Sequence, residues 1–148
     1  MTYRRLLVPT DGSELSDRAV EQAVDLASAL GAEVRFLHVQ ISFPISLVGV
    51  GELVEPSTID ALVTAARQRA ETILGAAMAV ADQAGVKAES SVQTNPMPHR
   101  VIVEAAQQQG CDLIVMASHG RKGLEGLLIG SETQRVLTHS PCPVLVVR

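Results

Sequence analysis

What most constrains this chain is a repeated switch of hydrophobic period. Apolar runs of four to seven residues alternate with stretches where apolar side chains return every three or four positions. Arg5–Val8 reads as a first strand, stopped by Pro9-Thr10-Asp11-Gly12. Between Ser13 and Leu30, the residues Ala19, Val20, Ala23, Val24, Ala27 and Leu30 fall at helical spacing, and Gly31 supplies the stop. Glu33–Val39 is a second strand. A long helix opens at Ser57, with Asp60 completing a capping box, and reaches about Ala84. Lys87–Gln93 is a weak strand expected toward a sheet edge, Met97–Gln109 a helix, and Asp112–Ala117 a buried strand. Ser131–His139 is a last helix and Pro143–Val147 a last strand. The stretches 40–56 and 118–129 read as loops.

Strands alternating with helices predict a single α/β domain over residues 1–148. It is an open parallel five-stranded sheet with right-handed crossovers and helices on both faces. Ligands of such sheets bind beyond the carboxyl ends of the strands, where strand order reverses. That directs attention to Pro9-Thr10-Asp11, His38-Val39-Gln40 and the segment from Ala117 onward.

Composition narrows the partners. The 148 residues are 47% hydrophobic, yet Tyr3, Phe36 and Phe43 are the only aromatic ones, so Ala, Val, Leu and Ile must build the core. No aromatic platform exists for single-stranded nucleic acid. Twelve basic against sixteen acidic residues give a net charge of −4, and no basic patch is segregated, which argues against any nucleic-acid partner. No stretch approaches the ~20 apolar residues of a membrane span, and the N-terminus lacks a signal peptide's features. A soluble, cytoplasmic protein without a membrane partner is expected. Cys111 and Cys142 each precede a strand and read as small buried residues rather than a disulfide framework.

The segment 118–133 is the most informative. It leaves a buried strand, runs through a loop containing Gly120, Gly123 and Gly126, and reaches Gly130-Ser131 at the start of a helix. Small residues admit an anion close to backbone N–H groups, and a helix N-terminus adds a favourable dipole. Arg121 and Lys122 add positive charge, and a protonated His119 would meet a phosphate. A second reading stands beside this one: Ser131 with Gln134 forms an ordinary capping box, and Glu132 already complements the dipole. Asp11 likewise either caps the first helix, with Glu14, or contacts a ligand. The four histidines show no paired metal-ligand spacing. Neither a P-loop nor a G-x-G-x-x-G fingerprint is present.

Ala117-Ser118-His119-Gly120, nine residues, then Gly130-Ser131 resembles the G-x-x-G-x9-G-[ST] motif of the universal stress proteins. The likeness covers nearly the whole chain, including Leu6-Leu7-Val8-Pro9-Thr10-Asp11-Gly12-Ser13, Leu37-His38-Val39 and the closing Pro141–Val147. The resemblance implies strand order 3-2-1-4-5, the adenine nucleotide α-hydrolase-like arrangement, a dimer, and binding of ATP. Carried over, Asp11 and the Val39 backbone would contact adenine, in a pocket shaped by Pro9 and Thr10. Met116, Ala117, His119, Gly120 and Arg121, with Gly130, Ser131 and the Glu132 and Thr133 backbone, would hold ribose and phosphates. ATP is the expected ligand, with ADP and AMP as variants, and Mg or Mn carried mainly by the phosphates. One departure matters: the motif's first glycine is Ala117, whose methyl is tolerable only at negative φ.

The expected function is a nucleotide-responsive stress or regulatory factor, with slow ATP hydrolysis at most, since no base is evident. A nucleotide-independent interaction protein, binding protein partners through its dimer and loops, is the alternative that Ala117 favours. The uniformly apolar Val144–Val147 lies at the sheet edge by the resemblance, and an apolar edge is an aggregation hazard unless paired. A homodimer through this strand is therefore expected.

Overall fold

Leu6, Leu7 and Val8 are fully buried, so the strand that carries them, β1 (Arg5–Pro9), must be covered on both faces and flanked on both edges. The computed structural model, which describes residues 2–41, 55–120 and 128–148, places it at the centre of the sheet. On one side it pairs in parallel with β2 (Glu33–Gln40), Leu6 opposite Val34 and Val8 opposite Phe36. On the other it pairs in parallel with β4 (Leu113–Ala117), Leu6 opposite Leu113. The edges are β3 (Ala88–Thr94), paired with β2, and β5 (Val144–Val147), paired with β4. The order β3-β2-β1-β4-β5 and the parallel pairing match the expected fold.

Side-chain alternation divides the core. Leu6, Val8, Val34 and Phe36 face α1 (Glu14–Leu30) and α2 (Pro56–Gln83), meeting Ala19, Ala23, Val24, Leu74, Ala77 and Ala81. Leu7, Leu37 and Ile114 face α3 (Pro98–Gln108) and α4 (Ser131–His139), meeting Val101, Ile102, Ala105 and Val136. Alanines along both helical faces let helix and sheet approach closely, which is how a core with so few aromatic rings fills.

Three helix starts differ from expectation. Ser13, not Asp11, caps α1, its side chain accepting from the Ser16 N–H at 3.2 Å. The Ser57 capping box does not form: α2 begins one residue earlier, at Pro56, whose fixed φ suits a first helical position. Nor does the Ser131 box form, because Gly130 occupies the cap position and Ser131 the first helical one. Cys111 is buried as expected, its thiol pushed up to about 11 chiefly by burial. Cys142, read as buried, is only partly so, because the edge strand it precedes leaves one side open.

An ionic network closes the amino ends of the strands. Glu33 accepts from Arg5 and pairs with Arg35 (3.3 Å) and Lys87 (3.1 Å), and Arg35 pairs with Glu89. The Arg5 hydrogen bond above all, with Lys87 next, outweighs burial and holds the Glu33 carboxyl down to about 2. A carboxylate lowered on folding stabilises the native state above its ordinary pKa and loses that contribution as pH falls through the folded value. Glu33 therefore favours folding at neutral pH, and the contribution drains away between pH ~4.5 and ~2. Glu33→Gln should lower the melting temperature at pH 7 by about 3–5 °C, corresponding to about 1 kcal/mol. Thermal melts of both proteins should converge toward pH 2; an unchanged gap there would refute this role.

Candidate functional site

The sheet's direction of winding reverses between β1 and β4, so their carboxyl ends open a crevice. The β1 side is built from Thr10 and Asp11. Thr10 is buried and fixed on every side: its N–H donates to Leu37 O at 2.9 Å, and its hydroxyl lies 3.2 Å from Ser16 Oγ. Its carbonyl accepts from His38 Nδ1 at 2.8 Å. His38 is itself buried, and because a carbonyl only accepts, its ring donates from Nδ1. The next residue is turned by Gly12, whose φ of 77° favours glycine. In that turn the Asp11 Oδ1 accepts from the Ser13 N–H at 2.9 Å. Asp17 lies close by, its pKa raised by burial first and then by the charge of Asp11.

The β4 side meets Asp11 directly. A Cβ added at Gly120 would lie 2.5 Å from Asp11 Oδ2, so the absent side chain leaves the space this carboxylate fills. Past β4 the Ser118 N–H donates to Val147 O at 2.8 Å, and His119 Nδ1 lies 3.2 Å from Ser118 Oγ. Gly130 returns the chain to the same place: its N–H donates to Ser118 O at 2.6 Å. A Cβ there would come within 3.2 Å of Ser118 O and His119 Cα. The Thr133 hydroxyl donates to Ala117 O at 2.9 Å, which pins the first turn of α4 to the end of β4.

The result is a helix N-terminus delivered to the crevice. Its cap residue, Gly130, has no side chain to bond the helix's first N–H groups. The N–H groups of Ser131, Glu132 and Thr133 have no intrahelical acceptor by helix geometry. Their dipole favours a negative ligand. The Glu132 carboxylate, which by sequence stood as a rival occupant, is turned onto α3 instead. It accepts from the His99 N–H at 2.8 Å and from His99 Nδ1 at 3.0 Å, and pairs with Arg135 at 2.7 Å. Burial raises its pKa, but these three donors outweigh it and hold the carboxyl below its ordinary value.

Of the residues singled out by sequence, Thr10, Asp11, Ala117, His119, Gly120, Gly130, Ser131, Glu132 and Thr133 gather at this crevice or form its walls. Pro9 ends β1 and Val39 is the next-to-last residue of β2 beside it, both half-buried. The Met116 side chain packs into the α3–α4 core and leaves only its backbone toward the crevice. Arg121 and Lys122 lie outside the described residues. No described residue other than glycine has a positive φ, and the Ala117 methyl belongs to the core facing α1 and α2. A glycine is therefore not required at 117. The role of His38 was invisible in sequence, since a lone histidine on an apolar strand carries no signal of its partner.

Two open depressions of about 440 and 420 Å³ lie elsewhere, at the amino ends of the strands. They are lined by Arg5, Arg35 and Glu89, and by Arg4, Glu33 and Asp112, whose charges largely satisfy one another. They lie away from the strand-order reversal, and the crevice is the better candidate. Among the described residues no helix is long and apolar enough to cross a membrane, and no cluster of His, Cys, Asp or Glu could hold a metal.

The sequence matches the universal stress protein family over residues 2–148. It is 35% identical over 149 residues to universal stress protein YxiE of Bacillus subtilis, covering 99% of each chain. The solved structure of MJ0577 from Methanocaldococcus jannaschii superposes with a TM-score of 0.77 at 31% identity, over 99% of this chain and 96% of that one. A universal stress protein solved in complex with cAMP is 27% identical with a TM-score of 0.64, over 100% of this chain and 98% of that one.

The Asp11–Gly120 contact is testable without any ligand. Gly120→Ala should displace the carboxylate and cost about 1 kcal/mol in chemical denaturation. In an Asp11→Ala background the same change should be nearly neutral. Equal costs in both backgrounds would mean that the two positions do not touch.

Proposed function

The chain belongs to the universal stress protein family, and from that premise we propose that it binds an adenine nucleotide in the crevice between β1 and β4 as a regulatory ligand. ATP is the working choice, with ADP and AMP as lesser occupants. The observation that carries this reading is Gly130: its close approach to Ser118 and His119 brings an uncapped helix start onto the end of β4. A relative at 27% identity solved with cAMP supports an adenine nucleotide as the chemical class.

In this reading the β1 turn receives the base. Asp11 accepts from the adenine amino group, with Val39 backbone beside it and Pro9 and Thr10 as the walls. Ribose and phosphates lie along Met116, Ala117, His119 and Gly120, with Arg121 contributing charge. The N–H groups of Ser131, Glu132 and Thr133 receive the phosphates, with Gly130 leaving room for them. Mg or Mn would travel on the phosphates. The Ala117 methyl, packed into the core, is compatible with binding, so nothing at this position favours a nucleotide-independent role. The N–H groups of the α4 start offer charge stabilisation, and in this reading the nucleotide acts as a signal, with slow hydrolysis at most.

Dimerisation through β5 belongs to the same proposal. Val144 and Val146 are half-buried and Leu145 is 42% exposed on an edge strand. Pairing with a second copy would satisfy that edge and cover its apolar side chains. Leu145→Glu should convert a dimer to a monomer in sedimentation equilibrium; a wild-type mass that stays monomeric at high concentration would overturn the idea.

Calorimetric titration of ATP with Mg should give micromolar binding, about −8 kcal/mol. Gly130→Asp should weaken it more than tenfold, by crowding the 118–119 backbone and adding a carboxylate where phosphate charge gathers. Gly130→Ala, which adds crowding alone, should lose less. Binding by Gly130→Asp at wild-type strength would exclude this crevice.

A further inference from the structure

Glu132 is an odd residue to find in the first turn of a helix whose start is read as a phosphate site. It is the second residue of α4, within the turn whose N–H groups and dipole form the anion site. A full negative charge there weakens the field felt by any phosphate. The structure manages this charge rather than omitting it. One carboxylate oxygen is shared between the His99 N–H and His99 Nδ1, at the start of α3, and the other pairs with Arg135. The carboxylate thereby caps a second helix, α3, which has no side-chain cap of its own. The groups that face it from both packed helices are His99 on α3 and Arg135 on α4, with His139 beside the His99 ring at 6.4 Å.

We propose that Glu132 is a specificity-determining residue that penalises each added phosphate charge, with Arg135 setting how much of that penalty is felt. The inference rests on the nucleotide reading of the crevice and deepens it. A carboxylate on the same first turn, held aside on His99 and Arg135, acts through space, so its effect grows with ligand charge and shrinks with salt. AMP carries two fewer negative charges than metal-free ATP and is penalised less. A Glu132 carboxylate stripped of Arg135 repels more strongly. The residue thus holds the balance between mono- and triphosphates, and the metal that accompanies ATP relieves the same repulsion.

The test compares the affinity ratio of ATP to AMP, measured by calorimetry in EDTA so that no metal masks the charge. Glu132→Gln keeps an acceptor for the His99 N–H and removes the charge. It should shift the ratio about three- to fivefold toward ATP at low salt, and the shift should fade in about 0.5 M KCl. Arg135→Gln should move the ratio the opposite way. A role in folding or helix placement alone would change both affinities together and leave the ratio fixed. Opposite, salt-sensitive shifts support the proposal. A ratio unmoved by either variant, with nucleotide still bound, overturns it and leaves the crevice reading intact. Wild-type protein that binds neither nucleotide, with or without Mg, overturns both.

Discussion

Everything in this molecule depends on one strand being paired in parallel on both edges. With β2 on one side and β4 on the other, β1 has no free edge, and Leu6, Leu7 and Val8 have no exposure. A right-handed crossover from β1 to β2 sends α1 and α2 to one face. The return to β4 sends α3 and α4 to the other. The two turns that leave β1 and β4 must then diverge, and the crevice between them is a consequence of chain direction before any side chain is considered. Asp11 and Gly120 are 109 positions apart in sequence, yet this topology presses them together.

The two ends of the sheet are finished in opposite ways. At the amino ends, Glu33, Arg5, Arg35, Lys87 and Glu89 pair with one another, and charge is used up within the protein. At the carboxyl ends, hydroxyls, a buried histidine and glycines hold backbone in place: His38 and Ser16 fix Thr10, Thr133 fixes the start of α4, and Gly130 sits against Ser118. Side chains are spent on positioning, and helix N–H groups remain directed outward. That contrast explains why the depressions at the amino ends are weaker candidates for a ligand than the crevice where an uncapped helix start is presented.

The fold was readable because its signals are local and redundant. The apolar run of Leu113–Ala117 and the spacing of Ala19, Val20, Ala23 and Val24 each admit one assignment, and strand alternation with helix does the rest. Helix starts were less readable, since Ser57 and Ser131 both satisfy a capping pattern that a proline and a glycine nearby override. The gathering of Thr10, Asp11, Gly120 and Gly130 followed from the rule about strand ends and from the family resemblance. What held them there did not. His38 bonding the Thr10 carbonyl and Glu132 reaching His99 are contacts across 28 and 33 positions, and no spacing in sequence encodes them. The backbone conformation at Ala117 has a geometric explanation: in an extended strand, alternation points its methyl into the core.

The central claim is that an adenine nucleotide occupies the crevice at the ends of β1 and β4. Amide chemical shifts of ¹⁵N-labelled protein, followed while ADP is added, test it most directly. The account predicts saturable shifts at Asp11, Gly12, Gly120, Gly130, Ser131 and Glu132, with Arg35, Glu89 and Gln109 at the far end unmoved. Shifts confined to the amino-end residues, or none at millimolar ADP, would contradict it.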